Sequence, residues 1–165
     1  MSNIIQFANM KWRADVSNDD EDVLILRAVD SIGKYPWDSG EGNDWGRCDL
    51  RRYLNNEFYY SLPKEDRERM IPMRTNTNIR DARSINRNEC NFDMVWVDDI
   101  YHIDAFDSEN NKEYFTWLRN PVSWSLHHSW AVGNDGFPVR FETKNKLAVR
   151  PCIMIVDPYR EYMDN

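Results

Sequence analysis

The stretch from Tyr114 to Ile155 constrains the fold most, because it contains two strand-like segments that each end in an Arg and a Pro. The residue before a proline is pushed toward extended backbone, so Arg150, which precedes Pro151, projects from a fixed place. Two Trp, a pair of histidines and an Asn-Asp-Gly turn lie between the two segments. This arrangement predicts a rigid scaffold that presents a loop-rich surface.

A chain of 165 residues fits one domain, spanning 1–165, and is long enough to bury a core without a metal or a cofactor. It contains no apolar run approaching the ~20 residues of a membrane span. Its first residues lack the basic and apolar regions of a secretory signal. We therefore expect a soluble, cytoplasmic protein that has no cofactor and does not bind a membrane.

The net charge of −7 argues against binding to a nucleic-acid backbone, because such binding requires Lys and Arg to neutralise phosphates. The same charge is also within the range common for small soluble domains. Charge alone therefore excludes one class of partner and identifies none.

The cysteine and histidine patterns predict no metal site and no catalytic site. Cys48, Cys90 and Cys152 are odd in number, far apart and outside any C-x-x-C spacing, so we expect three free thiols. His127 and His128 would point to opposite sides of a strand, so a zinc site with His102 as third ligand is a weaker alternative to surface histidines. No Gly-x-Ser-x-Gly elbow is present. We therefore expect a protein that is not an enzyme.

The apolar pattern predicts an α+β domain with two helices in the first half of the chain, antiparallel strands and long loops. An acidic hairpin tip, Asp19 to Asp22, precedes the first clear strand. Asp49 is expected to cap the first helix, and Pro63 to lie near the first turn of the second. The predicted strands span 23–26 and 92–97, and the predicted helices span 48–58 and 64–71, with a further short helix at 98–106.

Aromatic residues indicate a binding surface. The chain has 7 Trp, 8 Tyr and 7 Phe, more than a core of this size needs, and aromatic side chains are common in binding sites. Residues 37–45 and 123–141 lack a regular period, so we expect the ligand to contact loops there. The Asn- and Arg-rich residues 73–91 form a second long irregular segment. The predicted ligand-binding residues are Trp124, His127, His128, Trp130, Phe137, Trp37 and Trp45.

Arg119 and Arg150 have two interpretations, a ligand clamp or a buried structural fork. Guanidinium groups beside many aromatic residues usually stack on rings or bind acceptors within the fold. We therefore expect both to be structural, with Arg150 buried and paired with an acid or with backbone carbonyls beneath Trp117.

Six motifs in order resemble an uncharacterised domain family of Firmicutes, gut bacteria and their phages. They are Trp-Arg at 12–13, Trp45 with Asp-Leu-Arg-Arg-Tyr-Leu-Asn-Asn-Glu-Phe at 49–58, Asp-Met-Val-Trp-Val at 93–97, Thr-Trp-Leu-Arg-Asn-Pro at 116–121, Asn-Asp-Gly at 134–136 and Ala-Val-Arg-Pro-Cys-Ile at 148–153. The chain departs from the family at Val122 and Ala148, where the family has Gly. The resemblance implies a C-type-lectin-like fold, related to formylglycine-generating enzymes and to the variable proteins of retroelements. Cys152 stands alone near the C-terminal strands, which argues against the oxidase chemistry of those enzymes.

From these features we expect a non-enzymatic binding module that recognises a protein through loops on a lectin-like scaffold, with a glycan as the less favoured ligand. The alternative is a phage- or mobile-element-encoded inhibitor that binds a bacterial defence or nucleic-acid-processing complex stoichiometrically. An acidic surface can occupy a basic nucleic-acid channel by charge complementarity. The acids available for that role are Asp19 to Asp22, Asp98, Asp99, Asp104, Asp107 and Glu109.

Overall fold

The chain folds mainly into strands. A computed structural model describes residues 3–17, 22–40, 42–76, 90–100, 115–133 and 135–156. Strands make up 47% of these residues and helices 18%, and one helix reaches 13 residues. The expected α+β, C-type-lectin-like class with two helices is therefore wrong, because a several-sheet, mostly β architecture takes its place.

Twelve strands form three sheets in the described residues. The first sheet has the order β1-β2-β3-β12-β5, the second β10-β9-β8-β11-β4, and the third pairs β6 with β7. The strands are β1 Asn3–Phe7, β2 Met10–Val16, β3 Val23–Ala28, β4 Lys34–Pro36, β5 Met70–Ile71, β6 Met73–Asn76, β7 Cys90–Asp93, β8 Phe115–Pro121, β9 His128–Gly133, β10 Pro138–Glu142, β11 Lys146–Ala148 and β12 Cys152–Val156.

Hairpins build the first sheet. Ala8 and Asn9 both have positive φ, 51° and 62°, which is the geometry of the tight turn that matches strand twist. β2 then pairs antiparallel with β3, which confirms the predicted hairpin and its strand from Val23. Its tip, residues 18–21, lies outside the described part of the chain. β12 pairs antiparallel with the other side of β3, so it lies inside this sheet, between β3 and β5.

The second sheet contains most of the stretch 114–155, whose last strand, β12, lies in the first sheet. β8 pairs antiparallel with β9, with a register shift between Trp117 and Pro121, and β10 continues the meander on the other side of β9. The segment 114–121 was predicted as a strand, and β8 confirms it. β10 has no further strand on its outer side in the described chain and therefore forms an edge of the sheet.

The 13-residue helix runs through three contiguous segments, Asp49–Tyr53, Leu54–Phe58 and Tyr59–Ser61, of which the middle one is π-helical. Its N-cap is Cys48, whose sulfur accepts a bond from the Arg51 N–H at 3.4 Å. Asp49 is thus the first helical residue and not the predicted cap. Its carboxylate instead accepts bonds from the backbone N–H and the hydroxyl of Ser39, and these bonds lower the pKa of Asp49.

Asn55 ties this helix to the segment after β7. Its carbonyl oxygen accepts the N–H groups of Met94 and Val95 at 2.8 and 3.1 Å. Its amide nitrogen donates to the carbonyls of Arg51 and Val95 at 2.9 and 2.8 Å. From the π-helical segment, this one side chain therefore satisfies one carbonyl of the preceding helical turn and three backbone groups of the segment after β7.

The second predicted helix is shorter than expected. It spans only Lys64–Arg67, with Pro63 at its N-cap, so the expected place of Pro63 is confirmed. Met70 and Ile71 form β5 against β12, which ends the helical pattern after one turn. The predicted helix at 98–106 falls mostly outside the described residues.

The core contains five fully buried Trp side chains, which come from both large sheets and from loops. The indole N–H of Trp12 donates to Phe7 O at 2.8 Å, and that of Trp117 to Tyr35 O at 2.8 Å. Burial of an indole ring stabilises the fold fully only when its N–H has a hydrogen-bond acceptor. The five are Trp12, Trp37, Trp45, Trp96 and Trp117.

Asp93 is the centre of a buried polar cluster. It is 0% exposed and accepts from Trp45 Nε1 at 2.8 Å, Thr75 Oγ1 at 2.7 Å and Arg51 Nε at 2.6 Å. These donors come from the turn before the long helix, from the helix itself and from β6. A single carboxylate therefore joins three parts of the fold.

Arg119 and Arg150 both have structural roles, as expected. Arg119 donates to Val97 O at 3.2 Å and to the Asp99 carboxylate at 3.1 Å. Arg150 is 7% exposed and donates from Nη2 to Val29 O at 2.7 Å. The prediction of a buried Arg150 that bonds a backbone carbonyl is confirmed.

Replacing Arg150 with Ala is expected to lower the free energy of unfolding by about 2 to 3 kcal/mol, because a charge-assisted bond is lost and a buried carbonyl loses its donor. Chemical denaturation measures this change. Arg140→Ala is the matched control, since Arg140 is exposed. This substitution should lower the free energy of unfolding by less than about 0.5 kcal/mol. Equal losses in the two variants would contradict a structural role for Arg150.

None of the described helices combines the length and apolar character needed to cross a membrane.

Candidate functional site

An exposed aromatic and basic group lies on the β9–β10 hairpin and on the loop that joins β8 to β9. Trp124 is 55% exposed, and its ring meets that of half-buried Trp130 edge to face, with centroids 5.8 Å apart and an interplanar angle of 80°. The guanidinium of Arg140 lies 5.7 Å from the Trp124 centroid. We call these three side chains, Trp124, Trp130 and Arg140, the hairpin surface.

The strand register explains why these side chains meet. Arg140 lies directly opposite Trp130 across β9 and β10, so both project from the same face of the sheet. A turn in which Gly136 has a φ of 84° joins the strands, and its N–H donates to Gly133 O at 3.0 Å. A positive φ favours Gly, so the predicted Asn-Asp-Gly turn is confirmed at its Gly, while Asn134 lies outside the described residues.

Asn43 holds the loop that carries Trp124. Its side-chain amide donates to the carbonyls of Ser125 at 2.6 Å and His128 at 3.0 Å, with a longer contact of 3.4 Å to Val122 O. Asn43 is itself buried. The loop after β8 is therefore tied to a distant part of the chain and does not depend on its own residues alone for its shape.

A cavity of about 150 Å³ lies beside the hairpin surface and is lined by His127, His128, Glu142, Thr143 and Lys144. Glu142 faces His128 across the strands, and its carboxylate lies 3.3 Å from Lys144 Nζ. Thr143 is fully buried, and its hydroxyl has no hydrogen-bond partner among the described residues. The accessible lining of the cavity thus comes from two histidines, a glutamate and a lysine.

Ser125 organises the two histidines. Its hydroxyl oxygen accepts the His127 N–H at 3.2 Å and lies 2.6 Å from His128 Nδ1. Both imidazoles line the cavity because His127 precedes the first residue of β9, so the alternation expected for two strand residues does not apply. In the part of the chain that is described, no group of three His, Cys, Asp or Glu is arranged to hold a metal ion. His102, the third ligand of the zinc alternative, lies outside it.

The predicted ligand-binding residues separate into two sets. Trp124, His127, His128 and Trp130 come together around the hairpin surface and the cavity, and Phe137, 68% exposed, immediately precedes β10. Trp37 and Trp45 are 0% and 1% exposed, so both are core residues without access to a ligand. Their indole groups bond Leu118 O at 2.9 Å and the Asp93 carboxylate at 2.8 Å.

Sequence reasoning did not single out Arg140, Glu142, Thr143 and Lys144. Arg140 and Glu142 are recognisable only once the hairpin register is known. The sequence feature that could have identified them is the Asn-Asp-Gly turn. It fixes the pairing of the strands on either side, and hence the residues opposite Trp130 and His128. Thr143 and Lys144 follow β10 and carry no pattern of their own.

Two of the acids named for the inhibitor alternative are used inside the fold. Asp98 is 3% exposed and contacts Arg27 Nε at 2.6 Å, and Asp99 pairs with Arg119 at 3.1 Å. Six other acids, Asp19, Asp20, Glu21, Asp104, Asp107 and Glu109, lie outside the described residues.

Cys48 and Cys152 are free and buried, which confirms the expected thiols at these two positions. Burial raises the pKa of both thiols, so neither forms the reactive thiolate readily. The side chain of Cys90 lies outside the described part of the chain.

Comparison with known proteins gives one partial match. Residues 20–91 match the model of an uncharacterised family, described as "Domain of unknown function (DUF6273)". This agrees with the expected resemblance to an uncharacterised domain family, although the match covers less than half of the chain and ends before the hairpin surface. No curated protein matches the chain.

Proposed function

We propose that the chain is a non-enzymatic binding module that recognises a protein ligand through the hairpin surface. The observation that carries this proposal is the perpendicular Trp124–Trp130 pair with a guanidinium held over it. Trp and Arg are the side chains most enriched among the few residues that dominate binding energy at protein interfaces. A soluble fold gains nothing from leaving such a large ring more than half exposed.

The hairpin surface is also held in place before any ligand binds. Asn43 fixes the loop through bonds to the Ser125 and His128 carbonyls, and the register of β9 and β10 fixes Trp130 against Arg140. Side chains that are already ordered lose less conformational entropy on binding. Preorganisation therefore supports the use of this group for recognition.

The adjacent cavity suits a polar side chain of the ligand. The exposed Lys144 ammonium gives it a donor, and the exposed Glu142 carboxylate gives it an acceptor. An aromatic centre with a polar border is the usual composition of a protein-binding site.

The double variant Trp124→Ala/Trp130→Ala is expected to bind its ligand at least about tenfold more weakly, because truncating one central aromatic residue often costs 2 kcal/mol or more. Capture from a bacterial lysate by the immobilised full chain, quantified for wild type and variant, measures the loss. The melting temperature should change by only a few degrees, since Trp124 is largely exposed.

Phe92→Ala is the control for this experiment, because Phe92 is 68% exposed and lies on β7, which belongs to a different sheet from the hairpin. It should capture as well as the wild type. Protease treatment of the lysate separates a protein ligand, which is lost, from a glycan, which is retained. Unchanged capture by the double variant, or a melting temperature that falls by ten degrees or more, counts against the proposal.

A further inference from the structure

Within the described part of the chain, the outer edge of β10 is open. Pro138, Val139, Arg140 and Glu142 are all exposed, and only Phe141 is half-buried. β10 is the terminal strand of its sheet in the described chain. An open edge presents backbone donors and acceptors to any second strand that approaches.

The hydrogen bonds at the two ends of the hairpin show which backbone groups face outward. Gly133 N–H donates to Phe137 O at 3.1 Å, and Thr143 N–H donates to His127 O at 2.8 Å. Backbone groups of an antiparallel strand alternate between its two sides. The odd-numbered residues of β10 therefore face β9, and Pro138, Arg140 and Glu142 direct their backbone groups to the open edge.

Four of these groups are available for pairing. Pro138 supplies a carbonyl, Arg140 supplies an N–H and a carbonyl, and Glu142 supplies an N–H, while the Glu142 carbonyl already accepts the Asn145 N–H at 3.0 Å. None of the four has a partner among the residues the structure describes. A single extended segment of about five residues, paired antiparallel, can satisfy all of them.

From this geometry we infer that the ligand of the hairpin surface adds an extended, acidic strand to the edge of β10. The inference rests on the proposed function and names the chemistry and the binding mode of its partner. Main-chain bonds to Arg140 and Glu142 supply affinity. Side chains that alternate between the two faces of the added strand supply specificity.

Charge selects an acidic strand. Arg140 and Lys144 are exposed at this edge. Of the two acids near them in the hairpin, Glu142 already contacts Lys144 and Asp135 accepts the Phe137 N–H in the turn. A partner residue directly opposite Arg140 shares its face of the sheet, so an Asp or Glu there pairs with a guanidinium that Trp124 already orients.

The same geometry disfavours a second copy of the chain as occupant. Two β10 strands paired antiparallel over their full length place Arg140 opposite Arg140, and like charges directly opposite destabilise a strand pair. Residues of the partner next to its acid lie on the Val139 side of the sheet, where an apolar side chain fits. The expected recognition sequence is therefore an acid flanked by apolar residues.

A selection from a displayed library of random twelve-residue peptides tests the inference, with the immobilised full chain as target. Peptides in which an acid alternates with apolar residues should be enriched. Glu142→Pro removes the outward N–H at a position where an edge strand tolerates proline, and should weaken binding of a selected peptide by about tenfold. Glu142→Ala loses the same carboxylate but keeps the N–H, so the loss of binding in Glu142→Pro is measured relative to Glu142→Ala and not to wild type.

Three results would overturn the inference: enrichment of basic peptides, equal binding by Glu142→Pro and Glu142→Ala, or a dimer of the free chain in sedimentation that Glu142→Pro dissolves. Amide exchange of β9 in Glu142→Pro checks that the hairpin persists. The proposed function is tested separately. Loss of binding in Trp124→Ala/Trp130→Ala together with full binding in Glu142→Pro keeps a protein-binding hairpin surface and rejects strand addition.

Discussion

Replacing Asp93 with Ala is expected to lower the free energy of unfolding by about 4 kcal/mol, since breaking a buried ion pair typically costs 3 to 5. The substitution removes the acceptor of three donors, on Arg51, Trp45 and Thr75. The Trp45 indole N–H is then buried without a partner, which adds a desolvation cost. In a chain of this length the melting temperature should fall by about 10 °C.

Asp15→Ala is the control for Asp93. Asp15 also accepts from an arginine, at 3.0 Å, but its side chain is 39% exposed, and Arg27 keeps its second partner, Asp98. Its loss should cost less than about 1 kcal/mol. If denaturation shows similar losses of unfolding free energy for Asp93→Ala and Asp15→Ala, Asp93 does not hold the three parts of the fold together.

Trp37→Ala is expected to lower the free energy of unfolding by about 4 to 5 kcal/mol, at the upper end for a buried aromatic residue. The indole is fully buried, packs at 5.8 Å against Trp45, and donates to Leu118 O at 2.9 Å. Truncation therefore creates a cavity and leaves a carbonyl of β8 without its donor. Denaturant titration, with the slope checked against wild type, measures the loss.

Trp124→Ala supplies the matching comparison, because the same side chain is deleted where it is 55% exposed. We expect a loss of less than about 1 kcal/mol, most of it from the contact with Arg140. A stability loss for Trp124 as large as that for Trp37 would place both indoles in the core and remove Trp124 from any binding surface.

The local signals in the sequence predicted local structure well. The apolar run from Val23 gave a strand, the Leu50 to Phe58 spacing gave a helix, and Pro63 stands at a helix start. The strand, the helix and the helix start each depend on backbone preferences that act within a few residues. Arg150 is buried on a carbonyl, as expected for a guanidinium beside many aromatic residues.

The features that the sequence did not predict depend on pairing between strands that are far apart along the chain. The charged helix stops at Arg67 because the next residues pair with β12 as β5, more than eighty positions further along the chain. The prediction of the fold class was wrong for the same reason. The sheet to which a strand belongs is set by distant partner strands, and no local hydrophobic periodicity reveals them. Resemblance in short motifs also did not determine the class.

The candidate site shows the same limit. Trp37 and Trp45 lie in an irregular segment, which suggested exposure, but their indole acceptors are 81 and 48 residues away. A loop can line a core when distant carbonyls and carboxylates satisfy its polar groups. Trp124 and Trp130 were identified by the same reasoning and do reach the surface, so irregularity alone does not separate the two cases.

A photocrosslink measures most directly whether the hairpin is the protein-binding site. Phe137 and Phe92 have the same exposure, 68%, but Phe137 leads into β10 and Phe92 lies on β7. A benzophenone amino acid is placed at one position or the other, and the full chain is irradiated in bacterial lysate. We expect a protein adduct from position 137, abolished by Trp124→Ala/Trp130→Ala, and none from position 92. Equal adducts from both positions, or an adduct from position 92 alone, would contradict binding through the hairpin.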